Sequence, residues 1–481
     1  MDLESLKDLA DRGSFRDPAG CVFRINEQIY RYIPEDKAPG IGNMLQSPWF
    51  RNLVTSGMVI PSAVVDPDES KHLNNILGEI GGKVLRHEKV PFVSYPYEWS
   101  TKMCVDAGLL TLNIQENLLG AGHSLKDATP YNVQFVGCRP VFVDVCSIEP
   151  CSETGIWNAY DQFCRFWIYP LLLHRLGLRD FRLFYLSRID GLSIDTVREL
   201  AGLWPGLRFG IFLDYFLPVL LGGLKKVARA ETKSAMLKRR RHSREIQLMT
   251  VRRCRKILRK LGKVRANSQW SAYIQENNYS SEVDAQKFQF VENVISSQDI
   301  KDLADLGCNT GQYSILAARR GIRVVAVDSD LACIERLYGF ARNERLDILP
   351  LCVDIANPSP AIGWGNEERA GLLSRLERQF DCVLSLALVH HLLVTHSVPL
   401  EFVAELQERW TKKLLIAEFV APRDSRFREM VRYRSDGFDY YTVDYFKKVY
   451  SKYFRIVKER RLLDESRQLD RTLFLMERYA G

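Results

Sequence analysis

The chain has 481 residues, of which 46% are hydrophobic and 26% charged, and its net charge is +8. This length is too great for one ordinary domain, and the composition excludes a disordered or collagen-like chain. The sequence has no apolar run of the roughly 18 residues that a membrane span needs, no signal-peptide pattern and no Cys-x-x-Cys pair among its 11 cysteines. We therefore expect a reduced cytoplasmic protein without a transmembrane segment or a disulfide framework.

The first informative motif is the segment HSLKDATPYNVQFVGCRPVFVDV, which contains Asp127, Asn132 and Asp144. Two short β-forming runs, joined by a glycine turn, lie between Asn132 and Asp144. This pattern resembles the catalytic loop and metal-binding strand of protein-kinase-like phosphotransferases, in which the first Asp faces the acceptor hydroxyl and the other two residues bind Mg²⁺. The resemblance implies an α+β kinase-like domain with an ATP and Mg²⁺ site at these three residues.

The neighbouring segments fit the same arrangement. Val90–Trp99 predicts the last strand and the hinge of a kinase-like amino lobe. Met103–Leu119 predicts the helix that follows the hinge, and Trp157–Leu173 predicts a large helix of the second lobe.

The motif also departs from the kinase pattern. Leu125 replaces the His that precedes the catalytic Asp, no Phe-Gly follows Asp144, and the first hundred residues contain neither a Gly-rich phosphate loop nor a recognisable phosphate-pairing lysine. These departures favour a degenerate domain that binds nucleotide, substrate or a partner over an active phosphotransferase. The alternative is an ordinary α/β domain with Asp127 and Asn132 in a turn.

Charge is concentrated in the middle of the chain. Residues 225–265 include 17 basic and two acidic residues, so the rest of the chain is net acidic. We predict a kinase-like domain over 1–205, a basic helical connector over 206–265 and a third domain over 266–481. The apolar run Phe209–Leu224 predicts a core helix, with contact to a membrane surface as the alternative.

The basic connector has an apolar stripe at helical spacing, formed by Leu248, Val251, Cys254, Leu258 and Leu261. Three interpretations are open: contact with nucleic-acid phosphates, contact with anionic lipid, or docking on an acidic face of a neighbouring domain. RNA binding usually employs aromatic residues between the basic ones, and residues 225–266 contain none. Docking is therefore favoured.

From Ile300 onward, short apolar β-runs alternate with helical stretches, which predicts an α/β fold with a parallel sheet. The predicted strands are Asp302–Leu306, Arg323–Asp328, Ile348–Asp354, Phe380–Ala387 and Lys413–Val420. The predicted helices are Gly311–Arg320, Leu331–Glu344 and Val398–Trp410. Ligands of such sheets bind beyond the carboxyl ends of the strands.

The strand ends carry a glycine turn and acidic residues that fit a nucleoside cofactor. Asp328 is placed to accept hydrogen bonds from ribose hydroxyls, and Asp354 from an adenine amino group. Asp305 would repel a pyrophosphate but suits the amino group of a methionine tail. The alternative is that these acids cap the following helices. The candidate cofactor residues are Asp305, Gly307, Asn309, Gly311, Asp328 and Asp354.

The third domain resembles the class I S-adenosylmethionine-dependent methyltransferases through DLGCNTGQYS, VVAVDSD, LCVDIANP and FDCVLSLALVHH. The resemblance implies a Rossmann-like parallel sheet with an antiparallel last strand and S-adenosyl-L-methionine as cofactor. A late helix over Tyr441–Phe454 and a hairpin of Phe454–Lys458 with Thr472–Glu477 fit it. Asn309 stands where the family usually has glycine, and Asn tolerates left-handed backbone angles.

The fourth strand leads into His390 and His391, where a histidine can accept the proton that an acceptor hydroxyl or amine loses. The alternative is that both histidines cap or pack on the next helix. Glu418 is a weaker candidate for orienting the acceptor. Cys382, near the start of the fourth strand, is expected in the core rather than as a nucleophile. An aromatic-rich lead-in, expected as a cofactor lid or a packed helix, contains Trp270, Tyr273, Tyr279, Lys287 and Phe290.

Taken in order, VPFVSYPYEW, LKDATPYNVQF, the basic connector, NYS and DLGCNTG resemble the nodulation-type methyltransferases of bacteria over nearly the whole chain. The resemblance implies methylation of a surface or signalling saccharide. We therefore expect a methyltransferase acting on a hydroxyl or amine of a saccharide or other small acceptor, with the amino-terminal domain in acceptor recognition. The alternatives are an RNA methyltransferase that uses the connector and a bifunctional kinase and methyltransferase.

Overall fold

The computed structural model describes residues 10–14, 20–77, 81–151, 156–202, 233–263, 281–433, 437–462 and 471–479. The chain forms two compact units: unit 1 takes in 1–136, 140–264 and 361–370, and unit 2 takes in 137–139, 265–360 and 371–481. The predicted helix Phe209–Leu224 and the lead-in residues Trp270, Tyr273 and Tyr279 lie outside the described residues.

Unit 1 begins with an antiparallel sheet in the order β1-β2-β4-β3. Asn26 and Glu27 both have positive φ, as the tight hairpin turn between β1 and β2 requires. The sheet packs against α3 around a small apolar cluster that includes Phe23 and Leu73. The strands are β1 (Cys21–Ile25), β2 (Gln28–Ile33), β3 (Ser62–Val64) and β4 (Lys83–His87), and the helices are α1 (Ala38–Gln46), α2 (Pro48–Thr55) and α3 (Pro67–Leu77).

The rest of unit 1 is largely helical. A long buried helix, α4, is capped by Ser100, whose hydroxyl accepts the Met103 N–H at 3.3 Å. The helices are α4 (Thr101–Gly120), α5 (Tyr160–Phe163), α6 (Tyr169–Arg175), α7 (Arg182–Ser187) and α8 (Ile194–Ala201). Four short strands form two pairs, β5 (His123–Leu125) with β8 (Ile148–Pro150) and β6 (Val133–Val136) with β7 (Arg139–Phe142).

Two predictions for unit 1 need correction. The strand expected within Val90–Trp99 is absent there and lies earlier, at Lys83–His87. Pro91 and Pro96 have no N–H to donate to a neighbouring strand, which explains the irregular backbone. The helix predicted over Trp157–Leu173 starts at Tyr160 and contains a π-helical turn, Cys164–Ile168, just before Pro170.

The described part of the basic segment is α9 (Lys233–Leu261), which packs on α4 within unit 1. Four residues of the predicted apolar stripe, Val251, Cys254, Leu258 and Leu261, are buried, and Leu248 is half-buried. Gly108 of α4 permits close packing, because a Cβ there would lie 2.7 Å from Leu258 Cδ2.

Basic residues of α9 also have partners on unit 1. Arg255 Nη2 lies 2.5 Å from Glu116 Oε2, and Arg252 Nε lies 3.5 Å from Glu116 Oε1. Arg253 donates a hydrogen bond to the Tyr160 hydroxyl at 3.3 Å. Part of the positive charge of this helix is therefore balanced inside the chain.

Unit 2 contains a seven-stranded sheet in the order β11-β10-β9-β12-β13-β15-β14. The pairs among β9 to β13 are parallel, and β15 runs antiparallel to both neighbours. The strands are β9 (Asp302–Leu306), β10 (Arg323–Asp328), β11 (Ile348–Cys352), β12 (Phe380–Ser385), β13 (Thr411–Val420), β14 (Phe454–Leu462) and β15 (Arg471–Arg478). The predicted parallel sheet with an antiparallel final strand is confirmed.

The three helices predicted from Gly311 to Trp410 are confirmed, Leu331–Glu344 with the predicted bounds and the other two slightly shorter. The helix predicted over Tyr441–Phe454 is confirmed over a shorter span. The described helices of unit 2 are α10 (Ser281–Ser297), α11 (Gln312–Ala318), α12 (Leu331–Glu344), α13 (Leu372–Leu376), α14 (Val389–Val394), α15 (Leu400–Trp410), α16 (Ser425–Val431) and α17 (Val443–Tyr450). Strand order reverses between β9 and β12, so the crevice beyond their carboxyl ends is the expected ligand site.

All eleven cysteines are free thiols. Cys382 is fully buried in β12, and burial raises the pKa of its thiol, in agreement with a core position. Within the described ranges, none of the helices is long and apolar enough to cross a membrane.

The packing of α9 on α4 predicts that Leu258→Ala destabilises unit 1. Leu258 is fully buried, so removing its side chain leaves a cavity and should lower the free energy of unfolding by about 2–5 kcal/mol. Met249→Ala, on the exposed face of the same helix, is the matched control and should change it by less than about 0.5 kcal/mol. Urea denaturation followed by circular dichroism measures both. Equal, small effects would show that α9 is a solvated connector.

Candidate functional site

The turn after β9 adopts the left-handed backbone that its sequence predicts. Gly307, Asn309 and Gly311 have φ of 72°, 51° and 83°. Gly311 is required for a second reason, because a Cβ there would lie 2.4 Å from Leu337 Cδ1. Asn309 accepts the Thr310 N–H on its own side chain at 2.7 Å, which stabilises the turn at the position where asparagine replaces glycine.

Asp328, at the end of β10, holds this turn against the second strand. Its Oδ2 accepts the Asn309 N–H and its Oδ1 accepts the Asp330 N–H, each at 2.8 Å. The cap of α12 is Asp330, which accepts the Ala332 N–H at 2.7 Å. Asp328 is therefore not the helix cap, and it retains acceptor positions for a ligand.

Burial raises the pKa of Asp328, while the hydrogen bonds from the Asp330 and Asn309 N–H groups act in the opposite direction. Asp354, beyond the end of β11, accepts the Ala356 N–H at 2.9 Å. The two carboxylates follow adjacent parallel strands, so they lie along the same edge of the sheet.

Asp305 lies inside β9 and is buried. Its Oδ2 accepts a hydrogen bond from the Ser314 hydroxyl at 2.6 Å. Burial raises the pKa of Asp305 to about 6, the Ser314 hydrogen bond opposes this shift, and the nearby Asp328 adds to it. A cationic group close to this carboxylate would favour its ionised form.

The two predicted histidines lie beyond β12, in the first turns of α14, with ring centroids 4.4 Å apart. His390 is buried, and its Nδ1 has no hydrogen-bond partner among the described residues. Burial, followed by the charges of His391 and Arg471, lowers the pKa of His390 well below its usual value. Burial also lowers the pKa of the half-buried His391. Both imidazoles are therefore neutral at pH 7.

Glu418 differs from its predicted role. It is fully buried, and its Oε2 accepts the Ala387 N–H at 2.9 Å and contacts Lys287 Nζ at 2.5 Å. Its Oε1 lies 3.4 Å from Arg471 Nη1. Both carboxylate oxygens are therefore engaged inside the protein, and Glu418 supports the site instead of meeting an acceptor.

These contacts belong to a buried charge network that sequence reasoning missed. Arg471 also pairs with Asp424, with Nε 2.7 Å from Oδ2. The network contains two cations and two anions, Lys287, Arg471, Glu418 and Asp424, which come from α10, β15, β13 and the residue before α16. Burial alone would raise the pKa of Glu418, but Lys287 and Arg471 lower it overall. The residues are distant in sequence, so no local pattern could indicate the network.

The network joins the lead-in helix α10 to the strand ends. Lys287, predicted as part of the aromatic lead-in, lies 5.9 Å from the centroid of the Tyr313 ring. Phe290, from the same segment, is buried. Through the Ala387 N–H, Glu418 also fixes the backbone just after β12, where Ala387 has a positive φ of 50°.

Unit 1 contains a cavity of about 1350 Å³, and Asp127, Asn132 and Asp144 all line it. Asp127 Oδ1 accepts a hydrogen bond from Gln162 at 3.3 Å. Asp144 Oδ1 lies 2.7 Å from Arg31 Nη1 of β2. The structure therefore brings the three predicted residues to one cavity and adds Arg31, which the sequence did not indicate.

Arg369 also lines this cavity, with its guanidinium carbon 3.6 Å from the centroid of the Tyr131 ring. Arg369 belongs to residues 361–370, which are part of unit 1 although the chain on either side belongs to unit 2. Among the described residues, no group of three or more His, Cys, Asp or Glu side chains is arranged to hold a metal ion.

Unit 2 has an α/β fold, with the glycine turn and the acidic strand ends at the reversal of strand order. No family model matches the chain. It is 31% identical over 467 residues to the nodulation protein NoeA of Rhizobium meliloti (strain 1021), across 97% of this chain and 95% of NoeA. The chain therefore belongs to the NoeA family, which confirms the predicted nodulation-type relationship.

Two solved structures show lower similarity. The PH0226 protein from Pyrococcus horikoshii OT3 is 15% identical, with a TM-score of 0.31, over 42% of this chain and 94% of that one. The N-methyltransferase NodS from Bradyrhizobium japonicum WM9 is 14% identical, with a TM-score of 0.31, over 42% of this chain and 99% of NodS.

The buried network predicts that Glu418→Gln strongly destabilises unit 2. The substitution leaves Lys287 and Arg471 buried with one carboxylate fewer, which should cost about 3–5 kcal/mol. Glu429→Gln is the matched control, since its ion pair with Arg426 is exposed and should contribute less than about 1 kcal/mol. Urea denaturation of the two variants gives the comparison, and equal stabilities would contradict the assigned network.

Proposed function

We propose that unit 2 is an S-adenosylmethionine-dependent methyltransferase that acts on a hydroxyl or amine of a saccharide or other small acceptor. The observation that carries the proposal is the arrangement of the Gly307–Gly311 turn, Asp305 and Asp328 around the reversal of strand order. This arrangement suits a nucleoside with a cationic amino-acid tail and does not suit a pyrophosphate.

The residues of this edge fit the cofactor in chemistry. Asp328 and Asp354 are strand-end carboxylates for ribose hydroxyls and an adenine amino group, and Asp305 is a buried carboxylate for an ammonium group. When bound, the cofactor supplies a methyl group on a positively charged sulfur. The protein contributes alignment of the acceptor and exclusion of water.

A neutral histidine supplies the proton acceptor. We propose His391 for this role, because it is half-buried and accessible to an acceptor, whereas His390 is buried. Its lowered pKa keeps the imidazole neutral at pH 7, so it is ready to accept the proton that the acceptor hydroxyl or amine loses.

The proposed role of unit 1 is recognition of the acceptor. Its cavity is lined by equal numbers of acidic and basic residues together with amide and aromatic side chains such as Gln162, Tyr95 and Tyr131. Balanced charge, hydrogen-bonding groups and aromatic faces suit a polyhydroxylated ligand such as a saccharide. The resemblance to the nodulation-type methyltransferases implies the same acceptor class.

Loss of the ribose contact gives the direct test of this function. Calorimetry with S-adenosylhomocysteine should show binding to the full chain, and Asp328→Ala should weaken it by about 1.5–3 kcal/mol through the lost charge-assisted hydrogen bonds. Asp299→Ala, an exposed residue before β9, is the matched control and should bind like the wild type. Failure of the wild-type protein to bind would refute the assignment.

The raised pKa of Asp305 predicts that cofactor affinity depends on pH. Asp305 is protonated below about pH 6, and only its ionised form attracts an ammonium group, so S-adenosylhomocysteine should bind about tenfold more weakly at pH 5 than at pH 7. Asp305→Asn should remove most of this difference and lower affinity at pH 7. Calorimetry between pH 5 and pH 7 measures both proteins. If the variant keeps the pH dependence of the wild type, Asp305 is not the source of that dependence.

The catalytic assignment is tested by transfer of radiolabelled methyl groups to bacterial oligosaccharide extracts. His391→Gln should lower kcat by about 10²–10⁴ and leave S-adenosylhomocysteine binding unchanged, because the histidine acts on the acceptor. Asp127→Asn should instead raise the KM for the acceptor. A loss of activity in His390→Gln with normal activity in His391→Gln would reverse the assignment of the base.

A further inference from the structure

The carboxylate of Asp144 in unit 1 has a cationic partner. Arg31 reaches it from the second strand of the amino-terminal sheet, with Nη1 2.7 Å from Oδ1. The side chains of Arg31 and Asp144 are only 11% and 15% exposed, so the pair is largely shielded from water. A shielded pair in this geometry is not easily separated, because each charge loses its compensation.

The kinase resemblance implies that Asp144 and Asn132 hold Mg²⁺. Mg²⁺ requires near-octahedral coordination by oxygen atoms and is usually bound through one or two carboxylates. Here the Asp144 carboxylate is engaged by a guanidinium, which would repel a divalent ion placed beside it. The residues as arranged do not fit the metal.

Asn132 lines the same cavity and carries a buried polar atom. Its Nδ2 is buried and has no hydrogen-bond partner among the described residues. An amide nitrogen donates hydrogen bonds, so this buried atom calls for an acceptor such as a hydroxyl or carbonyl oxygen on a ligand. Asn132 and Asp144 line the same cavity, together with Asp127.

We infer that the Arg31 guanidinium takes the place of a divalent cation in unit 1, so the cavity binds its ligand without a metal ion. Asp144 serves to position Arg31, and ligand contacts are left to hydrogen-bonding groups such as Asn132 and Asp127. This inference concerns unit 1 alone and holds whether or not unit 2 transfers methyl groups.

Manganese binding to the full chain tests the inference, with the loss of the free Mn²⁺ signal in electron paramagnetic resonance as the readout. The wild type and Asp144→Asn should give identical titrations. Arg31→Gln should gain one Mn²⁺ site, at least about tenfold tighter than any binding there in the wild type, because the positive charge that repels Mn²⁺ beside Asp144 is removed. The double variant Arg31→Gln with Asp144→Asn should lose that site.

Arg24→Gln is the matched control, since Arg24 lines the same cavity but its side chain is exposed and pairs with Glu27. It should leave Mn²⁺ binding unchanged. A wild-type site that Asp144→Asn abolishes would overturn the inference, as would a folded Arg31→Gln protein that gains no site. Should Arg31→Gln fail to fold by circular dichroism, the comparison of the wild type with Asp144→Asn still decides.

Discussion

The hydrogen bond from the Asn309 N–H to the Asp328 carboxylate is the contact on which the candidate site depends. It ties the left-handed turn after one central strand to the end of the next, and it is made possible by glycines on either side of Asn309. At Gly311 a Cβ would lie 2.4 Å from Leu337 Cδ1, so any side chain there would force the buried Leu337 to shift. The edge of the sheet is thereby shaped before any ligand arrives, which reduces the ordering that binding would require.

The second constraint is electrostatic. In unit 2, Glu418 connects the lead-in helix, the end of the fourth strand and the last strand through buried charges that balance one another. In unit 1, Arg31 balances Asp144 inside the cavity. Breaking either the Glu418 network or the Arg31–Asp144 pair would strongly destabilise the protein, because the remaining charge would be buried without compensation. They therefore fix the positions of groups around the two candidate sites.

The sequence predicted unit 2 well because its signals are local. Each strand is a short apolar run, and the turn glycines and Asp328 lie where a strand gives way to the next helix. The role of Glu418 could not be predicted, since its partners Lys287 and Arg471 lie 131 and 53 residues away along the chain. Long-range pairs of this kind leave no periodic pattern in a single sequence.

Unit 1 was less predictable for related reasons. The strand placed near Val90 lies earlier because two prolines interrupt the later segment, and the Arg31–Asp144 pair spans 113 residues. Most of the predicted apolar stripe of the basic helix is buried. The stripe could be predicted because its helical spacing is visible within one short segment of the sequence. The contacts of its basic face could not be predicted, because they are made with α4, which lies in a distant part of the sequence.

A crystal structure of the full chain with S-adenosylhomocysteine would show whether the strand-end acids of unit 2 hold an S-adenosylmethionine-type cofactor, as we propose. We expect the ribose hydroxyls on Asp328, the adenine beside Asp354 and the amino group toward Asp305. A ligand bound away from these residues, or a saturated crystal without ligand at the Gly307–Gly311 turn, would contradict it.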